Sequence, residues 1–279
     1  MHSSVSLLIF LYLELHLNQD KMKYKPLNKD LIQKALERIF SQVIILEEID
    51  STNEFAKRVI KEGINDKVLI IAEEQTSGKG RMGRRWFSQK YANLLFSLIL
   101  SPKLDKKWTF SINMALAISL IEAIKEDYKI DAMIKWPNDI YIGNKKLAGI
   151  LTELFLDLNI IKHMIIGMGI NVNWAPEDKT LLYPATSLAK EKGEYIDRET
   201  ILISILTRFD NYYKKILTGE VKELYKKWNN NCMIIGKEIS IVQDKEIRGV
   251  AVKIKEDGSL VILKDGKEKT IMYGDVSLR

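Results

Sequence analysis

The chain is 279 residues long, 46% apolar and 29% charged, with only 15 glycines and 5 prolines. That excludes collagen-like, low-complexity and disordered classes and leaves room for one large domain, alone or with a small appendage. Lys and Arg outnumber Asp and Glu by 43 to 37, a net charge of +6 that draws anions, but the basic residues are dispersed. A solvated lysine-rich surface is therefore favoured over a nucleic-acid face, and phosphate-bearing small molecules stay in play. The lone Cys232 cannot form an internal disulfide, and His2, His16 and His163 lack metal-ligand spacing, so zinc, iron–sulfur and Cys/His nucleophile chemistry drop out. A reducing cytoplasm fits this cysteine usage.

Residues 5–17 are apolar but too short to span a bilayer, which takes about 20 residues, and their basic neighbours Lys21, Lys23 and Lys25 follow rather than precede them. Neither a transmembrane span nor an export signal is expected; an upstream extension of the reading frame, with Met22 as the working start, is preferred. Helical spacing covers residues 29–40 and a β-rich run covers 43–49. Asp50-Ser51-Thr52-Asn53-Glu54 then has the Ser-x-x-Glu spacing of a capping box at the start of a second helix. Strands at 68–72 and 94–100 flank a long glycine-rich basic loop at 74–91. A helix at 109–125 leads to three strands near 132–142, 146–156 and 163–171, with turns at Gly143-Asn144 and Asp157-Leu158-Asn159. Residues 198–229 are again helical, and from Gly236 short strands with Asp-Gly turns predict a small closed barrel. The expected fold class is α+β, a mixed or antiparallel sheet with helices packed on one side and a C-terminal β-barrel. The expected domains are an extension and leading helix at 1–41, a catalytic domain at 42–232 and the barrel at 233–279, with the boundary near Cys232.

Three clusters carry chemistry. Residues 78–86 read Gly-Lys-Gly-Arg-Met-Gly-Arg-Arg-Trp and contain G-x-G-x-x-G, but no helix start follows and no ribose-binding acid closes the next strand, so the dinucleotide reading fails. Walker and protein-kinase readings fail for want of their remaining motifs. What the loop offers is backbone N–H groups freed by three glycines among Lys79, Arg81, Arg84 and Arg85: either an anion cradle or a basic surface loop. The second cluster, Lys135-Trp136-Pro137-Asn138-Asp139, meets Lys145 to Glu153 across a hairpin, where a lysine opening an apolar strand could fix a positive charge and Gly149 suggests close approach by a ligand or backbone. The third, Gly167-Met168-Gly169-Ile170-Asn171, is either a β-bulge or a pocket lining.

In this order, Asp50 to Asn53, Gln75, Gly78 to Trp86, Lys135 to Asp139, Lys146 to Gly149 and Gly167 to Asn171 resemble the biotin protein ligase family over about residues 42–279. The resemblance implies a class II synthetase-like biotin/lipoate ligase fold with an SH3-like C-terminal barrel. It implies an enzyme that joins biotin and ATP into biotinyl-5′-AMP and passes biotin to a lysine of a biotin carboxyl carrier protein, of the acetyl-CoA carboxylase type. Carried over residue by residue, Ser51, Thr52, Asn53 and Gln75 meet biotin's ureido ring; Lys79, Gly80 and Arg81 hold carboxyl and phosphate; Lys146 contacts both; and Gly149 and Asn171 line the ligand. Lys79, Arg81, Trp86, Asn138, Lys146, Asn171 and Arg279 face the nucleotide. Arg81, Lys146 and Asp139 are the implied catalytic residues, Asp139 orienting the acceptor lysine or taking its proton. Mg²⁺ arrives with the nucleotide, and no protein metal ligands are expected. Lys79 and Met82 stand where the family often has arginine, and Lys79 keeps charge without the bidentate fork. With only about 28 residues between Met22 and Asp50, no DNA-binding repressor domain is expected, and a homodimer stays open. A lipoate ligase or lipoyl/octanoyl transferase is the enzymatic rival, and a nucleic-acid-binding module the non-enzymatic one.

Overall fold

The computed structural model describes residues 24–64, 66–177, 183–242 and 246–278. The expectations for residues 1–21 and for Arg279 therefore lie outside the described residues.

Short apolar runs build a seven-stranded sheet in the order β1 (Gln42–Leu46), β2 (Val68–Ala72), β3 (Leu94–Leu100), β7 (Ile160–Ile170), β6 (Lys145–Asp157), β5 (Asp139–Ile142) and β4 (Met133–Lys135). Only the β1–β2 pair is parallel. Period-2 alternation sends side chains to two faces. On one face Leu69, Ile71, Phe96, Leu98, Ile166 and Met168 join the main core under α1 (Lys29–Leu36), α3 (Thr109–Tyr128), α5 (Arg198–Leu217) and α6 (Lys222–Asn231). The other face carries one helix, α2 (Thr52–Lys61), whose Ala56 and Val59 cover Val68, Ile70, Ile99 and Ile165. The single-sided helix layer thus holds for the main core, while α2 lies across the sheet from it, over β2, β3 and the Ile165 part of β7, and does not reach the Gly167–Ile170 part of β7 or the Lys145–Gly149 part of β6.

Helix α3 with its leading turn is long and apolar enough to cross a bilayer, but two-thirds of that window is buried. It is the central core helix. A short helix, α4 (Leu188–Lys192), was not expected, and the helix expected over 198–229 breaks after Leu217, where Gly219 takes φ +81°. The strand expected over 132–142 is two strands, because Pro137 has no N–H to give a ladder and the chain turns at Trp136-Pro137-Asn138. The helix expected to reach residue 40 stops at Leu36.

The expected capping box does not form. Ser51 is the N-cap but makes no side-chain cap bond; its N–H donates to Asp50 Oδ1 (2.7 Å) rather than to Glu54, and Glu54 turns to Lys57 and Lys79.

After Cys232, β8 (Glu238–Val242), β9 (Glu246–Ile254), β10 (Leu260–Lys264), β11 (Lys267–Ile271) and β12 (Asp275–Leu278) form a five-stranded antiparallel sheet in the order β11-β10-β9-β8-β12, the small barrel. It shares the main core through Ile239, Ile241, Leu260 and Val276. Its β9–β10 turn is seated on the larger unit: Trp136 Nε1 donates to Gly258 O (2.8 Å) and the Tyr225 hydroxyl donates to Glu256 O. Burial pushes the Cys232 thiol up to about 11, so it is an unreactive core residue.

Candidate active site

The open part of the α2 face is a trough floored by glycines. The ladders through β7 run without a register break from Met164 to Ile170, so Gly167 and Gly169 are not a bulge; the break in β6–β7 lies at Phe155/Leu156. Their missing side chains make room for other groups. A Cβ on Gly167 would stand 2.2 Å from Asn53 Oδ1, and one on Gly169 would stand 2.5 Å from the Trp86 indole. Gly149 plays the same part on β6, where a Cβ would come within 3.3 Å of both Asp139 Oδ1 and Trp86 Cζ3.

At the α2 end the trough is neutral and polar. Ser51, Thr52 and Asn53 are buried at the helix start, and the Ser97 hydroxyl on β3 lies 2.7 Å from both Thr52 Oγ1 and Asn53 Oδ1. Asn53 Nδ2 donates to Glu153 Oε2 (3.0 Å) and Leu151 O (3.3 Å), and Gln75 Oε1 accepts from Thr52. The amide nitrogen of Gln75 has no protein acceptor among the described residues. Asp50 sets the helix entry: the Arg58 guanidinium bonds both its oxygens and, with the Ser51 N–H, outweighs burial to bring its carboxyl down to about 2.

The other end is cationic. The loop of residues 78–86 is a hairpin, with Trp86 N–H donating to Gly78 O (2.9 Å), Gly80 N–H to Arg84 O (2.7 Å), and the tip at Met82 and Gly83, both with positive φ. It lays Trp86 on the glycine floor. Arg81 donates to Asn138 Oδ1 (2.9 Å), and Asn138 Nδ2 donates to Ile150 O (2.7 Å), so Asn138 braces the loop arginine against the sheet. Lys146 pairs with Asp139 at 2.8 Å, and its ammonium lies 5.6 Å from the centre of the Trp86 ring. The segment after β7 returns to this edge, since Lys146 N–H donates to Pro184 O and Thr186 N–H to Lys146 O. Six cations and one carboxylate line the cleft.

Two buried polar atoms here lack protein partners: Trp86 Nε1, a donor, and Asn171 Oδ1, an acceptor. Buried polar groups are nearly always satisfied, so both fit a bound ligand that carries acceptors and donors. The structure brings together all the expected site residues that it describes. Lys79 differs in its partner: its ammonium is held by Glu54 at 2.7 Å, at the rim. Ser97, Tyr183 and Val276 were not foreseen. Ser97 had a signal, as the one polar residue in the apolar run of β3; the other two arrive from distant elements.

A buried polar end, an apolar glycine floor and a cationic end beside a looping arginine make a site for an elongated ligand with a neutral polar end and an anionic end. Residues 45–171 match the biotin/lipoate A/B protein ligase family, and residues 234–279 match the biotin protein ligase C-terminal domain. The chain is 33% identical over 233 residues to the bifunctional ligase/repressor BirA of Bacillus subtilis, covering 82% of this chain and 72% of that one. It is 26% identical to the biotin–[acetyl-CoA-carboxylase] ligase of Paracoccus denitrificans, covering 83% of this chain and 98% of that one. Among solved structures, the biotin protein ligase of Aquifex aeolicus in complex with biotin and ATP superposes with a TM-score of 0.74 at 33% identity, covering 86% of this chain and 99% of that one. The chain belongs to the biotin protein ligase family.

Proposed function

We propose that this cleft condenses biotin with ATP to biotinyl-5′-AMP and pyrophosphate, then passes the biotinyl group to one lysine of a biotin carboxyl carrier domain. The observation that carries the reading is the polarity of the trough, neutral hydrogen-bonding groups at the α2 end and Arg81 with Lys146 at the other. Biotin has the matching order, a ureido ring, an apolar tail and a carboxylate. The ring would find Ser51, Thr52, Asn53 and Gln75, and the tail the glycine floor.

In the first step a carboxylate oxygen attacks the α-phosphorus, and the bond to the β-phosphate breaks. Two anions must meet, and Arg81 and Lys146 offset their repulsion in a partly dry site where such charges act strongly. Lys146 can change partner from Asp139 to the incoming phosphate. That leaves Asp139 free to orient the carrier lysine, whose amine loses a proton as it attacks the acyl carbon and AMP departs. Mg²⁺ would arrive with the nucleotide phosphates. That ion neutralises phosphate charge when bound.

ATP–pyrophosphate exchange with biotin or lipoate as the acid tests the reading. Exchange with biotin, followed by labelling of a carrier-domain lysine, is expected; exchange with lipoate alone would move the substrate, and exchange with neither would overturn the reading.

A further inference from the structure

Among the described residues, Lys135 is a cation without an anion. Its side chain is 7% exposed, and its ammonium sits over the faces of Tyr183 (3.6 Å to the ring centre) and Tyr141 (5.3 Å), which meet edge-on. No hydrogen-bond acceptor or carboxylate reaches it among the described residues, although its register partner across β4–β5 is Asp139, which pairs with Lys146 instead. Tyrosine faces recover part of the cost of burying an ammonium, but they leave its N–H donors without acceptors. A buried lysine in that state, on the wall of a ligand cleft, is matched to an anion that comes and goes.

The order of strands says which anion. The ureido end of the trough lies over β3 and β7, Gly149 and Lys146 lie on β6, Asp139 on β5 and Lys135 on β4, at successive spacings of about 4.8 Å across the sheet. Asp139 and Lys135 are directly opposed, so both project from the same face as the trough. In phosphoryl transfer the attacking and leaving oxygens are roughly in line with the phosphorus. A carboxylate arriving from the β7 side at a phosphorus over β6 therefore expels its leaving group toward β5 and β4.

Resting on the ligase reading above, we propose that Lys135 binds the β- and γ-phosphates of ATP and holds the departing pyrophosphate. Lys146 and Arg81 then serve the phosphorus that is attacked, and Lys135 serves the group that leaves. The assignment separates the half-reactions, because the second involves no pyrophosphate.

The test compares wild type, Lys135→Met and Lys135→Arg in three assays: biotin-dependent ATP–pyrophosphate exchange, pyrophosphorolysis of supplied biotinyl-5′-AMP, and transfer from supplied biotinyl-5′-AMP to a carrier domain. Lys135→Met is expected to raise the KM for pyrophosphate about 10- to 100-fold, the range for a lost charge-assisted hydrogen bond, and to slow exchange. Transfer should change less than about twofold, and Lys135→Arg should recover most of the pyrophosphate affinity. A merely structural role, in which Lys135 only pins Tyr183, would slow transfer as much as exchange; that outcome, or an unchanged KM for pyrophosphate, overturns the proposal. Absence of exchange in the wild type would overturn the ligase reading itself and this assignment with it, whereas normal wild-type exchange with an unaffected Lys135→Met variant overturns the assignment alone.

Discussion

Replacing Gly258 with alanine should damage the active site from a distance. Gly258 caps the barrel's β9–β10 turn at φ +85°, and a Cβ there would fall 2.4 Å from Phe110 Cγ and 2.5 Å from its Cδ2. Phe110 cannot retreat easily, because its ring stands edge-on to buried Trp228, 5.1 Å between centres. The turn must move instead, and its carbonyl is the acceptor for Trp136 Nε1, two residues before Asn138. Gly266 supplies the control: it has φ +70° and open space where a Cβ would go. Both substitutions carry a left-handed backbone cost of about 1–2 kcal/mol, and Gly258→Ala adds an overpacking cost of about 1–3 kcal/mol. For a chain of this size a 2 kcal/mol difference separates the two melting temperatures by about 4–8 °C. Thermal unfolding of both variants measures that gap, and single-turnover adenylation should fall in Gly258→Ala and not in Gly266→Ala. Equal melting temperatures would refute the clash, and normal adenylation by a destabilised Gly258→Ala would refute the coupling of barrel turn to site loop.

Lys146→Ala and Arg81→Ala should each lower adenylation about 100-fold or more, as expected for removing a donor aimed at developing charge; wild-type exchange by both would remove them from the catalytic roles assigned. Arg58→Ala should return the Asp50 carboxyl from about 2 toward its ordinary 3.8. Because the folded value is depressed, the pair's stabilisation is present above pH 3.8 and is lost as pH falls through about 2, so the variant's acid unfolding should lose its dependence on that window; titration of Asp50 by NMR measures the shift. Arg198→Met should cost about 3–5 kcal/mol, since it strips the buried Glu73 carboxylate of its guanidinium (2.7 Å) and leaves it, among the described residues, the Leu27 N–H (2.5 Å). The double variant with Glu73→Leu should recover part of that loss in urea unfolding; further additive destabilisation would contradict the pairing.

What could be read from sequence follows the range of the interaction behind it. Strand positions rest on short local apolar runs and the basic loop on glycine spacing, so β2, β3, β6 and β7 and residues 78–86 stand where the pattern puts them. The failures are long-range. Ser51 and Glu54 have capping-box spacing, but Asp50 takes the Ser51 N–H, and Glu54 is drawn to Lys57 and to Lys79, a loop cation 25 residues away. Glu73 and Arg198 sit 125 residues apart and look like two surface charges until the fold buries both. Gly167 and Gly169 could be read as bulge or pocket because the bulky groups they admit, Asn53 and Trp86, lie on other elements.

The same logic explains why the cations of the site look ordinary one at a time. Lys79, Arg81 and Lys146 each have a protein partner, Glu54, Asn138 and Asp139, so none is an unpaired charge waiting in the cleft. Binding an anionic ligand is then an exchange of partners. The free-energy gain is the difference between a phosphate and a carboxylate or amide on the same cation, smaller than the full Coulomb attraction and less sensitive to added salt than for open cations. Lys135 stands apart because its partners among the described residues are two aromatic faces, which offer its N–H groups no oxygen acceptor. An anion there satisfies donors that nothing else satisfies, so the strongest discrimination for the leaving group is expected at the residue farthest along the sheet from the biotin ring.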